Sequence, residues 1–240
     1  MARVSNSTTG KVVSLGNVEM DKKFGGGIPM GSLILIEGAS DSGKSVLSQQ
    51  LTWGTLKAGY RVTVMTTENT VKSLIRQMWS LSLEITDYLL LGRMKIFPVK
   101  AQRTDDDENG AKSFQILLHA IREQKLQDLV IVDSITSFIA QSPIGEVVSF
   151  FQECMGYCSK GMTIALIAHS YAFDEATTIR ISSMCDAHLR LKTETAGDRI
   201  MKTCEVAKIR GAQLSTGNVI NFDVEPGIGM RIIPFSKASA

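Results

Sequence analysis

Apolar residues fall into two kinds of run along the chain, and the two kinds alternate. Short, nearly continuous runs occur at "SLILIEG" (32–38), "YRVTVMTT" (60–67), "MKIFPV" (94–99), "DLVIVDS" (128–134) and "MTIALIAHS" (162–170). They have the length of strands buried on both faces. Longer stretches lie between them with apolar residues three or four apart: 43–59 with Gly59 as a stop, 70–85, 113–125, and 144–161 with Gly161 as a stop. That spacing predicts helices. Strand then helix, repeated, predicts an α/β fold with a mostly parallel sheet and helices on both faces.

The last third has a different rhythm. Residues 187–194, 199–211, 218–227 and 229–235 read as strands separated by Gly, Asp and Ser turns, which predicts antiparallel hairpins at the sheet edge. Residues 1–15 are mostly small and polar and are expected to be a flexible lead-in, with 236–240 as a short tail. A single domain is expected over 16–235, without internal repeats. The acidic run "TDDDENG" (104–110) is expected to be a solvated connection.

Composition narrows the function classes only a little. The chain has 240 residues, 44% of them hydrophobic, enough for one sizeable core. Its formal charge of +2 is too mild to imply a nucleic-acid or membrane partner. No apolar run is long enough to span a bilayer and no signal-peptide core is present, so a cytoplasmic location is expected. Cys154, Cys158, Cys185 and Cys204 lack zinc spacing with His119, His169 or His188, and are read as reduced, semi-buried thiols.

The chemistry concentrates at "IEGASDSGKS" (36–45). Gly38, Gly43, Lys44 and Ser45 fill the pattern G-x-x-x-x-G-K-[ST], with a strand entering and a helix leaving. Glycines let backbone N–H groups turn inward around phosphate oxygens, and the helix N-terminus adds its dipole. Gly38, Ala39, Ser40, Asp41, Ser42, Gly43, Lys44, Ser45 and Val46 are therefore candidate nucleotide contacts. Lys44 would reach the β- and γ-phosphates and Ser45 would hold Mg²⁺. Asp133 ends a buried strand, where open α/β sheets bind ligands, and would join the Mg²⁺ shell through water, supported by Ser134. A dinucleotide fold is disfavoured because "GASDSG" lacks the G-x-G-x-x-G order.

"KFGGGIPMGSLILIEGASDSGKSVLSQQLTWGTLKAGYRVTVMTTEN" resembles the KaiC branch of the RecA superfamily, and most closely the archaellum accessory ATPases within it. The likeness runs from about Phe24 to about Pro234, and "RQMWSLSLEITDYLLLGRMKIFPV" (76–99) is in the archaellar style. The resemblance implies a RecA-like P-loop fold that takes ATP and Mg²⁺. It implies that Glu68 sits at the catalytic-base position and that His169 is a candidate γ-phosphate sensor. It further implies that Lys208 and Arg210, in "EVAKIRG", reach a neighbour's nucleotide in trans, and hence a homo-oligomeric ring, hexameric by family. Docking on the archaellum motor ATPase, the membrane platform and a surrounding scaffold ring follows from the same resemblance, as does a place at the cytoplasmic face of that complex.

One position departs from the family. KaiC-type sites carry two adjacent glutamates where this chain reads Glu68-Asn69. An amide binds water but takes no proton at neutral pH. Firm ATP binding with weak or absent hydrolysis is therefore expected, gating assembly. Three other readings stay open. A DNA-dependent ATPase lacks cationic support here, since 134–146 has no Lys or Arg and 170–181 has only Arg180. An autokinase would need phosphoacceptors such as Ser215 or Thr216. A scaffold with a vestigial loop is the third.

Overall fold

The computed structural model describes residues 10–100, 109–196, 199–216 and 219–233. The chain opens with β1 (Val12–Val13), α1 (Val18–Lys23) and β2 (Ile28–Pro29), and the two short strands pair antiparallel. Then come β3 (Leu33–Gly38), α2 (Lys44–Lys57), β4 (Val62–Thr66), α3 (Val71–Ser80), α4 (Thr86–Leu90) and β5 (Met94–Pro98). After these follow α5 (Asn109–Arg122), β6 (Leu129–Asp133), α6 (Thr136–Ile139), α7 (Ile144–Cys158), β7 (Thr163–His169) and α8 (Glu175–Met184). The strands β8 (Ala187–Ala196), β9 (Arg199–Ile209), β10 (Val219–Glu225) and β11 (Gly229–Ile233) complete the chain.

Among the described residues one nine-stranded sheet has the order β11-β10-β9-β8-β3-β7-β6-β4-β5. From β8 to β5 every pairing is parallel, and from β8 to β11 every pairing is antiparallel. The parallel strands β3, β4 and β6 are buried at every residue because helices cover both faces. Alternate side chains serve two cores. Ile34, Ile36, Leu129 and Ile131 join the cluster under α2 and α3, while Leu33, Leu35, Val130 and Val132 join the one under α5 and α7. Phe150 and Phe151 lie fully inside the second cluster, and all four cysteines are free and buried. The α/β architecture expected from the alternating runs is the one observed.

Two local readings need correction. Residues 10–15 are part of the packed domain rather than a flexible lead-in: Val13 and Leu15 are fully buried, and Gln50 on α2 donates to the Leu15 carbonyl at 2.8 Å. The helix expected over 70–85 is broken. It starts at an N-cap, Thr70, whose hydroxyl accepts from the Ser73 N–H at 3.1 Å, and it ends at Ser80. Leu81, Leu83 and Ile85 are buried while Ser82 and Glu84 are exposed, a period of two that no helix can bury on one face. Residues 1–9, 104–108 of the acidic run and the 236–240 tail lie outside the described residues. No helix among the described residues is long and apolar enough to cross a membrane.

Candidate functional site

The carboxyl ends of β3, β4, β6 and β7 surround one cleft of about 460 Å³. Ser40, Asp41, Gly43, Lys44, Ser45 and Val46 form its floor, and Glu68, Asp133 and His169 stand around it. The fold thus brings together nearly every residue expected there. The loop between β3 and α2 is held by close packing. Gly43 has φ +97°, and a Cβ on it would lie 2.9 Å from the Phe222 ring of β10. A Cβ on Gly38 would lie 2.5 Å from the Leu191 carbonyl oxygen of β8. Lys44 is buried, and its Nζ donates to the Ala39 carbonyl at 2.6 Å. Burial pulls its pKa down, against the opposing pull of Asp133, Glu68 and Asp41. The Ser42 hydroxyl is buried without a hydrogen-bond partner among the described residues.

Asp133 is buried at the end of β6, and its carboxylate accepts from the Ser48 hydroxyl at 3.1 Å. Desolvation, then the nearby Glu68 charge, push its pKa up to about 6, against hydrogen bonds from Ser48 and Ser45 and the charge of Lys44. A cation would reverse that balance. Two hydroxyls and a carboxylate of raised basicity are a hard-oxygen donor set, which suits Mg²⁺. The neighbouring strand is fastened to this end. The Thr67 hydroxyl donates to the Ser134 carbonyl at 3.1 Å and accepts the Ser134 N–H at 3.0 Å. The Ser134 hydroxyl then donates to Glu68 Oε1 at 3.1 Å, which holds that carboxylate at the cleft.

Asn69 is not among the cleft-lining residues. Its Oδ1 accepts from Gln77 Nε2 at 2.8 Å and from the Ser73 hydroxyl at 3.2 Å, so the amide is engaged with α3. His169 does line the cleft, with its ring stacked on Tyr171 and its Nδ1 3.1 Å from the Thr136 hydroxyl. Burial and then the Lys44 charge lower its pKa, which keeps the ring neutral at neutral pH.

Lys208 and Arg210 lie elsewhere. Lys208 Nζ donates to the Ser182 carbonyl, and Arg210 Nη2 donates to the Ser183 carbonyl at 2.9 Å. Arg210 Nη1 is also 3.5 Å from Asp186. Both cations therefore sit at the C-terminal end of α8, where a helix dipole favours positive charge. The two share one side as their spacing predicts, but neither lines this chain's own cleft. Thr216 packs against Gly25, and neither it nor Ser215 lines the cleft.

Sequence reasoning missed two residues of the cleft and a buried cluster behind it. Lys202 of β9 lines the cleft, and its Nζ donates to the Asp41 carbonyl of the phosphate loop. Val224 of β10 forms the wall beside it. Behind the loop, His188 Nε2 lies 2.8 Å from Glu37 Oε1 with both side chains buried, and Arg190 stands 3.6 Å from the same oxygen. The only sequence sign of Lys202 is a strand-period cation in "RIMKTCEVAKIRG"; placing it needs the order of the antiparallel strands.

The family model for KaiC ATPases matches residues 13–237. The chain is 30% identical over 230 residues to the archaeal flagellar ATP-binding protein FlaH of Sulfolobus acidocaldarius, covering 95% of this chain and 100% of that one. It is 31% identical over 224 residues to FlaH of Methanocaldococcus jannaschii, covering 92% and 94%. The crystal structure of flagellar accessory protein FlaH from M. jannaschii superposes with a TM-score of 0.80 at 29% identity, over 93% of this chain and 99% of that one. The chain therefore belongs to the KaiC family of ATPases and, within it, to the archaeal flagellar FlaH proteins.

Proposed function

We propose that this chain binds Mg·ATP in the cleft and acts as a nucleotide-gated assembly component of the archaellum motor, with slow turnover. The observation that carries the reading is the convergence of Lys44, Ser45, Glu68 and Asp133 on one phosphate-binding loop. Lys44 exchanges its carbonyl partner for phosphate oxygens, a charge-assisted contact for a buried ammonium. Ser45 and Asp133 would hold Mg²⁺, which supplies charge neutralisation to the phosphates.

Slow turnover rests on the acid inventory around the attacking-water position. Asp133 is committed to the cation and Asp41 belongs to the phosphate loop itself, which leaves Glu68 as the carboxylate at the expected base position. Its Oε1 is already engaged by Ser134, and the adjacent Asn69 supplies no second base. Phosphate release at saturating Mg·ATP tests this. Turnover far below ~10 s⁻¹, an ordinary enzyme rate, is expected; a rate near that value contradicts it.

Ring formation draws on Lys208 and Arg210. Two cations held on main-chain carbonyls away from their own cleft are available to a neighbouring copy, where they would meet γ-phosphate charge. A head-to-tail contact of that kind closes into a ring, a hexamer in this reading. The assembled ring would dock the motor ATPase, the membrane platform and the scaffold ring at the cytoplasmic face.

A further inference from the structure

A second cleft, of about 540 Å³, lies at the opposite end of the sheet from the nucleotide cleft. It is lined by the last turn of α5, the turn into β6, the end of α7 and the turn into β7. Pairing of β6 with β7 holds these two turns side by side, and the Thr163 N–H donates to the Asp128 carbonyl at 3.1 Å. The same two strands carry Asp133 and His169 to the nucleotide, ~16 Å away at ~3.3 Å per residue.

Its chemistry is lopsided. Leu126 is 75% exposed, and with Met162 and Tyr157 it gives the cleft an apolar floor. Arg122, Lys125 and Lys160 surround that floor. Among the described residues the single acid in the lining is Asp128, and it already accepts the Arg61 N–H at 2.8 Å. Glu123 lies 4.0 Å from Arg122, but Lys125 and Lys160 have no ion-pair partner among the described residues. Gln127, 94% buried in the lining, has an Oε1 with no hydrogen-bond partner among the described residues. In a chain of nearly balanced charge, three cations gather here around one exposed leucine.

We propose that this cleft docks an acidic segment of a protein partner. One bulky apolar side chain of the segment seats on Leu126 and Met162, and flanking carboxylates meet Lys125, Lys160 and Arg122. An apolar anchor with a charged rim is the arrangement of a protein–peptide contact. A nucleic-acid backbone needs cations strung along a track rather than gathered round an apolar floor.

Peptide display against the immobilised full chain tests this, with single-stranded DNA and phosphatidylserine vesicles as parallel probes. Enriched peptides are expected to carry Leu, Met or Phe flanked by Asp and Glu. They should lose about tenfold in affinity on Leu126→Asp and on Lys125→Glu with Lys160→Glu, and weaken with added salt. Both sites are at the surface, and Mg·ATP binding by the variants reports that the fold is intact. Three outcomes overturn the proposal: no enriched peptide, an enriched set without that pattern, or peptides that bind the variants unchanged. DNA or vesicles binding through these residues, with no peptide bound, overturns it as well.

Discussion

Two pairs of cations, both resting on main-chain carbonyls, divide the molecule. Lys44 and Lys202 sit on the Ala39 and Asp41 carbonyls of the phosphate loop itself. Lys208 and Arg210 sit on the Ser182 and Ser183 carbonyls at the end of α8, outside the cleft. The difference lies in what stands opposite. Asp133 and Glu68 share the cleft with the first pair, so those lysines stand beside the carboxylates of their own chain's cleft. The second pair faces Asp186 and a helix end, with no phosphate loop of its own chain in reach. In the proposed function the first pair serves binding and the second serves assembly.

The comparison is broken most severely by Lys44→Ala. Loss of a buried, charge-assisted phosphate contact of about 3 kcal/mol should weaken nucleotide binding ~100-fold or more by titration calorimetry. A variant that still binds like the wild type would show that the loop is not the phosphate site. The double change Lys208→Ala with Arg210→Ala should leave the affinity of a single chain unchanged while abolishing the ATP-dependent rise in mass by light scattering. Loss of affinity in that variant at monomeric concentration would place the pair in its own cleft and erase the distinction.

Acidification sharpens the same contrast. Asp133 must be ionised to hold a cation, and its carboxyl is raised to about 6 by burial and Glu68. As pH falls through that value the ionised fraction falls, so Mg·ATP affinity should drop about tenfold per unit below it. Asp133→Asn should bind more weakly throughout and lose this dependence in calorimetry at stepped pH. The smallest effect is expected at Lys202, on the cleft rim. Lys202→Ala should cost about 1 kcal/mol, roughly fivefold in affinity, and leave assembly in place.

The parallel half could be read from the chain because its central strands are nearly continuous apolar runs, and β6 and β7 each end in a polar residue. "LVIVDS" delivers Asp133 and "ALIAHS" delivers His169 to one edge by the geometry of a parallel sheet alone. Long-range placement was less accessible. Val13 and Leu15 look like parts of a polar leader until α2 packs over them. The alternation in "LSLEI" was readable, but the helical spacing before it masks the change of period. Asn69 looks like a member of the site from its place beside Glu68. Gln77 and Ser73 of α3 turn it aside. Lys202 needed the register of β9 against β10, where it pairs with Phe222 beside Gly43.

Native mass spectrometry of the full chain with ATP, with ADP and without nucleotide tests the central claim most directly. Assembly gated by the cleft predicts a closed ring with Mg·ATP and smaller species with ADP or no nucleotide, with little phosphate released while the ring persists. A mass that is the same in all three states would contradict it.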